Sequence, residues 1–296
     1  MIVAVTGANG KLGRAVVAAF AAMAPVHAIA RVKPETLPQN TASFGVGPLN
    51  ADTNFLAALQ GVSTLVHCAA LTWIDPASPD QSAFTTVNVH ATRALGEQAV
   101  AAGAKRIVFI SSLTVNGKHN AGRPFRADDE PNPQSLYSRT KWEGEQVLRA
   151  LEVTYGIEVI IIRPPRIIWP ELSGNLAMMA KLIAKGIPLP FGLLDKNARS
   201  NVGSDSLVAE IVRAANNPAA AGKTLLISDS KPMSTRALCL WLGERVGRKP
   251  ILFPVPTGLL RLIVTMIPQR LVGKLNRKEL LDELTLDLRV EVNSVG

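Results

Sequence analysis

The feature that most constrains the fold is a glycine-rich turn between an apolar run and an apolar helix near the start of the chain. Residues 2–5 read Ile-Val-Ala-Val, residues 6–14 read Thr-Gly-Ala-Asn-Gly-Lys-Leu-Gly-Arg, and residues 15–23 are apolar. This pattern predicts a buried strand, a tight turn and a helix, in the order that a phosphate-binding turn requires. The first run has no charged leader and is followed by glycines, so we expect a strand there and not a signal peptide.

Three glycines give this turn its predicted function. Gly7 permits a tight turn, Gly10 lets a ligand approach the backbone, and Gly13 lets the helix pack closely on the strand. The start of the helix offers unpaired amide groups and a positive dipole end to a pyrophosphate. We therefore predict dinucleotide binding here; the alternative is a turn that only connects two elements.

Further apolar runs alternate with helical patterns through the first half of the chain. Strands are predicted at residues 26–30, 64–70, 105–110 and 157–162, and a helix at residues 86–101 separates two of them. Strands that alternate with helices indicate a doubly wound parallel sheet, an α/β fold of the Rossmann type.

The regular alternation ends after residue 163. Prolines then separate short helical patterns at residues 177–185 and 205–215 and a strand pattern at residues 224–227. We therefore assign residues 1–163 to a dinucleotide-binding domain and residues 164–296 to a smaller substrate domain, with a segment that could return to the first domain.

Tyr137 and Lys141 are four residues apart in a segment that is predicted to be helical to about residue 151. On a helix they share one face. A fixed positive charge beside a phenol favours the phenolate and lowers the pKa of the tyrosine, which makes Tyr137 a candidate proton-transfer group. The pair alone is weak evidence, because tyrosine and lysine meet at this spacing on many solvated helix faces.

Small or hydroxyl-bearing residues follow two of the predicted strands. Ala69 and Ala70 end one strand and leave room for a ligand, and Ser111 and Ser112 follow another. Ligands of doubly wound sheets bind at the carboxyl ends of the strands, so we expect the site at this edge. His67 lies within an apolar run and is expected to be a hydrogen-bonded core histidine and not a catalyst.

Arg31 follows the second predicted strand, where a doubly wound fold places the adenosine ribose. An acidic residue there would accept hydrogen bonds from the ribose hydroxyls, whereas an arginine suits a 2′-phosphate. Arg31, with help from Arg14, therefore favours NADP over NAD. The alternative is a solvated charge at a strand end.

Charge and composition narrow the class of partner. The net charge of +9 favours anionic partners, but only 5% of residues are aromatic and no zinc-finger spacing occurs, which argues against nucleic acid.

Cys68 and Cys239 have the character of core residues, so we expect no disulfide, no metal site and a reducing, cytoplasmic location. Residues 256–275 are apolar and basic, too short and charged for a transmembrane segment; we expect a packed helix, with a peripheral contact to anionic lipid as the alternative.

Three motifs occur in order: the glycine turn at residues 6–13, Ser111-Ser112 at a strand end, and Tyr137-x-x-x-Lys141. Together they resemble the extended short-chain dehydrogenase/reductase family, of the NAD-dependent epimerase/dehydratase type. Residues 111–117 are most similar to bacterial nucleotide-sugar 4-epimerases and 4-keto-sugar reductases of surface-polysaccharide synthesis. The resemblance implies an enzyme acting on a nucleotide-diphosphate sugar, with a UDP-sugar favoured, and it leaves open both the choice between epimerase and reductase and a homodimer.

The resemblance also implies roles for individual residues. Tyr137 matches the acid/base, Lys141 its ribose-binding and charge-supplying partner, and Ser112 the hydroxyl that holds the substrate. Asn175 and Arg199 match positions that contact the phosphates of the sugar nucleotide; the alternative for Arg199 is a surface charge. The predicted cofactor-binding residues are Gly7, Asn9, Gly10, Lys11, Leu12, Gly13, Arg31, Ala69, Ala70, Asn88, Tyr137 and Lys141.

The sequence departs from the family pattern at four places. Asn116 replaces a common tyrosine, Pro48 replaces an adenine-contacting aspartate, and residues 168–171 replace a tyrosine-glycine-proline run. The chain also ends at Gly296, before the customary closing segment, so we expect either a naturally short enzyme or a truncated one. The alternative to an enzyme is a non-catalytic sensor that binds the dinucleotide and recruits a partner through residues 256–275.

Overall fold

Nine strands carry the architecture within the residues that the structure, a computed structural model, describes: 1–73, 80–120, 122–229, 231–266 and 277–293. The strands are β1 (Ile2–Thr6), β2 (Val26–Ala30), β3 (Thr41–Gly45), β4 (Val62–His67), β5 (Arg106–Ile110), β6 (Glu158–Arg163), β7 (Arg166–Ile168), β8 (Asn201–Gly203) and β9 (Thr224–Leu226). Seven of them form one sheet in the order β3-β2-β1-β4-β5-β6-β9, and β7 pairs with β8 in a separate sheet.

Helices connect these strands. They are α1 (Lys11–Ala21), α2 (Leu56–Leu59), α3 (Ser82–Thr85), α4 (Ala91–Ala101), α5 (Leu136–Tyr155), α6 (Gly174–Ala184), α7 (Ser204–Asn216), α8 (Thr235–Val246), α9 (Thr257–Met266) and α10 (Arg277–Thr285). A π-helical turn at Thr86–His90 precedes α4, and a 3₁₀ turn at Leu113–Val115 follows β5.

The main sheet is covered on both faces, because successive strand residues point to opposite sides. Val108 of β5 packs in the apolar cluster that contains α1 and α7, whereas its neighbour Phe109 packs in the cluster that contains α4 and α5. Every pairing within this sheet is parallel. The prediction of a doubly wound parallel α/β sheet is confirmed.

Some elements differ from their sequence-based bounds. Helix α1 begins at Lys11 and not at residue 15, because Gly10 already occupies the N-cap position with an extended backbone. Strand β3 was missed, since its Thr-Ala-Ser-Phe-Gly sequence is half-buried and lacks the long apolar run of the other strands. Strand β9 and helix α7 follow residue 164 and yet join the main sheet and its covering layer, so the residues after 163 contribute to both parts of the molecule.

The remaining elements form smaller apolar clusters beside the sheet. Helices α6 and α8 pack together in one cluster, and α9 packs against α10 in another through Leu260, Val264 and Leu284. On the other side of α9, Leu262 and Met266 are 58% and 76% exposed. Among the described residues, no helix is both long enough and apolar enough to span a bilayer; part of the predicted lipid-contact segment, residues 267–275, lies outside the described residues.

Candidate active site

The glycine turn is shaped by close backbone contacts. Gly7 has a φ of 71°, a left-handed conformation that favours glycine. A Cβ on Gly13 would lie 2.1 Å from the carbonyl oxygen of Gly7, so any side chain there would force α1 away from the turn. The N-cap residue Gly10 offers no side-chain acceptor to the first amides of α1. The first amides of α1, at the positive end of the helix, therefore receive no side-chain cap from this residue.

The turn lies against the end of β4, where the strand order reverses between β1 and β4. A Cβ on Gly7 would lie 2.8 Å from the backbone nitrogen of Ala69. That nitrogen donates to Thr6 Oγ1 at 3.2 Å, and a 2.6 Å hydrogen bond joins Thr6 Oγ1 to His67 Nδ1. The two predicted segments thus meet at the switch point where doubly wound sheets bind their ligands.

His67 is a hydrogen-bonded core residue, as predicted from its apolar context. Its Nε2 lies 3.0 Å from Thr92 Oγ1, which in turn donates to the carbonyl of Asn88. Burial, and secondarily the charge of Lys141, lowers the pKa of His67 to about 3. The imidazole therefore stays neutral at physiological pH, held between the two threonine hydroxyls.

Asn88, predicted to contact the cofactor, holds the segment after β4 in place. Its Oδ1 accepts from Leu71 N at 2.8 Å, and its Nδ2 donates to Leu71 O at 3.0 Å and to Thr140 Oγ1 at 3.1 Å. Asn88 is buried in the π-helical turn. It links the loop that follows Ala70 to the helix that carries Lys141, so its observed role is to position both.

Helix α5 begins with a capping box formed by Ser135 and Ser138, which fixes the first turn and places Tyr137 within it. The Ser112 hydroxyl lies close enough to the Tyr137 phenol to act on its pKa. It also lies 2.8 Å from Thr114 Oγ1. The structure thus brings two of the predicted catalytic residues together at the end of β5.

The pKa of Tyr137 is raised to about 12, because burial disfavours the phenolate more than the Ser112 hydrogen bond favours it. The expectation that Lys141 lowers this pKa is therefore wrong in direction. Lys141 is itself buried, and burial lowers its pKa to about 7, with Glu145 opposing the shift. Its ammonium lies 3.8 Å from the centre of the Phe109 ring. An ammonium that burial destabilises cannot be treated as a fixed charge.

A buried ion pair lies one helical turn beyond Lys141. The Glu145 carboxylate accepts hydrogen bonds from Arg163 Nη2 at 2.6 Å and from Arg163 Nε at 2.9 Å. It also accepts a hydrogen bond from the Ser111 hydroxyl. Arg163 Nη1 donates to Asn116 Oδ1 at 3.0 Å. The neighbouring serines after β5 thus face different partners: Ser111 binds this ion pair, whereas Ser112 hydrogen-bonds Thr114 and lies beside the phenol.

Asn175 and Arg199, the predicted phosphate contacts, line one cavity of about 220 Å³. Arg166 and Glu283 line the same cavity and form a 2.7 Å ion pair. Arg199 donates to the carbonyl of Leu286 at 3.3 Å, and burial, followed by repulsion from Arg166, lowers its pKa to about 10. None of the residues described around this cavity belongs to the Ser112, Tyr137 and Lys141 set.

The remaining predicted cofactor residues surround the glycine turn. Asn9 Nδ2 donates to the carbonyl of Val32 at 2.8 Å, which ties the turn to the end of β2 beside Arg31. Arg31 is exposed. Lys11 is exposed too, and its ammonium lies 5.9 Å from the centre of the Trp169 ring. Leu12 packs partly against the core.

Several residues of this site were missed in the sequence. Glu145 could have been found, because it continues the four-residue spacing of Tyr137 and Lys141 along the buried face of α5. Arg166 stands out only when it is seen to share a cavity with Arg199. Glu283 carries no local signal, since its role comes from a contact with a residue 117 positions away.

The glycine turn fits a dinucleotide on the evidence of its own geometry. A Cβ on Gly10 or Gly13 would lie 3.2 or 2.1 Å from the Gly7 carbonyl oxygen, so the turn is too tight for side chains at these positions. Glycine therefore leaves the backbone accessible where a pyrophosphate would approach. Residues 3–224 match the family model described as the NAD dependent epimerase/dehydratase family. The chain belongs to this family.

Relatives and solved structures agree with the family. A UDP-glucose 4-epimerase of Vibrio cholerae is 35% identical over 254 residues, covering 84% of this chain and 75% of the relative. An N-acetyl-alpha-D-glucosaminyl-diphospho-ditrans,octacis-undecaprenol 4-epimerase of Escherichia coli O157:H7 is 30% identical over 223 residues, covering 73% and 65%. The UDP-glucuronic acid 4-epimerase of Bacillus cereus, solved in complex with NAD, has the same fold: the TM-score is 0.72 at 21% identity over 86% of both chains.

The family makes the chain an enzyme of the NAD-dependent epimerase and dehydratase type. The predictions of an enzyme and of this family are confirmed. The non-catalytic sensor that the sequence left as an alternative is set aside.

Proposed function

We propose that this enzyme inverts carbon 4 of a nucleotide-diphosphate sugar, with Tyr137 as the acid/base. The observation that carries the proposal is the placement of the Ser112 hydroxyl beside the Tyr137 phenol at the carboxyl end of β5, with Lys141 one turn further along α5. A phenol, a hydroxyl and an amine at this edge of a doubly wound sheet can exchange a proton with a bound sugar hydroxyl.

Each residue has a distinct task in this mechanism. Tyr137 takes the proton from the hydroxyl on carbon 4 as the phenolate, a form that needs positive charge beside it because burial raises its pKa to about 12. It returns the proton after the sugar has presented its other face. Ser112 donates to the sugar oxygen and limits the cost of its negative charge. Lys141 binds a ribose and supplies positive charge when it is protonated. A bound nicotinamide supplies the hydride acceptor and donor for the same carbon.

The cavity that contains Asn175 and Arg199 suits the diphosphate of this substrate. A guanidinium and an amide bind phosphate oxygens through directed N–H groups, and partial burial strengthens those bonds. The similarity to the Vibrio cholerae UDP-glucose 4-epimerase favours UDP as the nucleotide. Synthesis of a surface polysaccharide stays a prediction.

The test is to incubate the purified protein with UDP-glucose or UDP-N-acetylglucosamine and NAD, and to follow the C4 epimer by NMR. An epimerase forms the epimer without net accumulation of NADH. Failure to convert any UDP-sugar, together with NADPH-dependent reduction of a 4-keto-sugar nucleotide, would replace the proposal by the reductase alternative.

A lipid-linked sugar diphosphate is the second candidate substrate. It is favoured by the similarity to the Escherichia coli 4-epimerase, whose name specifies an undecaprenol-linked sugar, and by the exposed Leu262 and Met266 of α9. Conversion of a polyprenyl-diphospho-N-acetylglucosamine in detergent, without conversion of UDP-sugars, would select it. Vesicle flotation with anionic lipid tests the peripheral contact predicted for residues 256–275.

The cofactor preference rests on Arg31. The family is NAD-dependent, whereas the exposed guanidinium at the end of β2 still favours the 2′-phosphate of NADP. Titration with NADH and NADPH tests this preference, and equal or tighter binding of NADH would reject it. Light scattering of the same sample tests the homodimer that the resemblance leaves open.

A further inference from the structure

The side chain of Glu283 reaches from α10 into the cavity that contains Asn175 and Arg199. Its Oε1 accepts from Arg166 Nη2 at 2.7 Å, and its Oε2 accepts from Asn175 Nδ2 at 3.4 Å. The carboxylate therefore occupies donors that face the same cavity as the predicted phosphate contacts. A carboxylate and a phosphate present similar paired oxygens to an arginine.

The charges around this cavity do not balance. Among the described lining residues, the charged side chains are Arg166, Arg199 and Glu283, so two guanidinium groups share one carboxylate. Repulsion from Arg166 contributes to the lowered pKa of Arg199, and Glu283, followed by Asp282 and Asp287 outside the cavity lining, opposes that shift. A second anion would relieve this repulsion, and the cavity is partly open to receive one: the side chains of Arg166 and Glu283 are 22% and 28% exposed.

We propose that Arg166 is an additional diphosphate-binding residue and that Glu283 is an internal competitor, whose carboxylate holds the Arg166 guanidinium until a phosphate displaces it. This inference rests on the proposed sugar-diphosphate substrate. It assigns to Arg166 a role that the sequence motifs did not predict, and it makes Glu283 a determinant of substrate affinity.

Release of Glu283 does not require the departure of α10. The helix and the segment after it are held independently, because Lys118 pairs with Asp282 at 2.8 Å and Thr235 Oγ1 donates to the Leu284 carbonyl at 2.7 Å. A rotation of the Glu283 side chain alone frees Arg166. The exchange therefore replaces one charge-assisted contact by another at little structural cost.

The test measures pyrophosphate and UDP binding by calorimetry in protein saturated with NAD, so that the glycine turn is occupied. We expect Glu283→Gln, which keeps the shape of the side chain, to tighten the binding of both ligands by about 2- to 5-fold, the range set by a partly exposed ion pair that no longer has to be broken. Arg166→Gln should weaken both by about 10- to 100-fold, the range of a lost charged hydrogen bond. In the Arg166→Gln background, Glu283→Gln should bring no gain.

The matched control is Asp282→Asn, which removes one negative charge and one ion pair from the same helix outside the cavity. An equal gain in this variant would show a through-space charge effect and overturn the competitor role. Unchanged pyrophosphate affinity in Glu283→Gln would also overturn the inference, even if UDP-glucose is epimerised. If pyrophosphate responds as expected but no sugar nucleotide is converted, the inference stands and the proposed function fails. Thermal melting of each variant verifies that it is folded.

Discussion

Arg163 and Arg166 lie on either side of Pro164-Pro165, and each forms an ion pair with a glutamate. The two pairs have the same chemistry but differ in burial. Arg163 and Glu145 are 2.6 Å apart with side chains 3% and 0% exposed, whereas Arg166 and Glu283 are 2.7 Å apart and 22% and 28% exposed. The first pair lies one helical turn from Lys141, beside the proposed catalytic edge formed by Ser112, Tyr137 and Lys141. The second lies in the cavity predicted to bind the diphosphate.

Burial decides what each pair can do. The inner carboxylate is bound by two guanidinium nitrogens and a serine hydroxyl, so removing one partner leaves a charge that has no access to water. The outer pair is partly hydrated, and solvent can replace either partner at low cost. The same pair of residue types therefore fixes a geometry in one place and leaves an exchangeable binding site in the other.

The largest effect should come from the catalytic edge itself. Tyr137→Phe should lower kcat by about 10²- to 10⁴-fold, the contribution of one positioned acid/base, while the Kd for UDP changes little. The matched control is Tyr155→Phe, at the exposed end of the same helix, which should leave kcat unchanged. Near wild-type turnover in Tyr137→Phe would show that Tyr137 is not the acid/base.

Breaking the inner ion pair should be the next largest effect. Arg163→Leu leaves the Glu145 carboxylate buried without its partner and should lower the free energy of unfolding by about 3–5 kcal/mol. Arg166→Leu, three residues later, should lower it by no more than about 1 kcal/mol. Urea denaturation measures both values. Equal losses of unfolding free energy in the two variants would show that burial does not make the inner ion pair more important for stability than the outer one.

Arg199 tests the outer region as a binding site. Arg199→Gln should weaken UDP binding by about 10- to 100-fold, the cost of one charged hydrogen bond, with a smaller change in kcat. Arg213→Gln, which removes a guanidinium paired on the surface of α7, is the control and should leave the affinity unchanged. A loss confined to kcat would show that Arg199 affects the chemical step and not substrate binding.

The pH dependence of stability should report the burial of Lys141. Its pKa is about 7 in the folded protein and 10.5 as the ordinary value. Between these values the unfolded chain binds more protons, so the free energy of unfolding should rise with pH, by up to about 1.4 kcal/mol per unit. Lys141→Met should be more stable than the wild type at pH 7, and the difference should shrink towards pH 9.

The control for this prediction is Lys181→Met on the exposed face of α6. It should show the same pH dependence as the wild type. The difference in the free energy of unfolding between Lys141→Met and the wild type could instead stay constant from pH 7 to pH 9. That result would mean that Lys141 remains protonated in the folded protein.

The sequence predicted the elements that local pattern determines. The glycine turn, the buried strands and the four-residue spacing of Tyr137 and Lys141 follow from periodicity and from the conformational freedom of glycine, and the sheet that contains them is confirmed. The start of α1 was misplaced because the helix begins inside the glycine turn, where no apolar pattern marks it. Strand β3 was missed because a short, half-buried edge strand needs no strong apolar signature.

The family, the dinucleotide turn and the candidate acid/base were thus available from the sequence alone, because each depends on residues that are close together in the chain. The tertiary structure decided the rest. It directs Ser111 to the inner ion pair and Ser112 to the phenol, it reverses the expected pKa shift of Tyr137 through burial, and it brings Glu283 to Arg166. Desolvation and contacts between distant residues set these properties, and neither is encoded in local spacing.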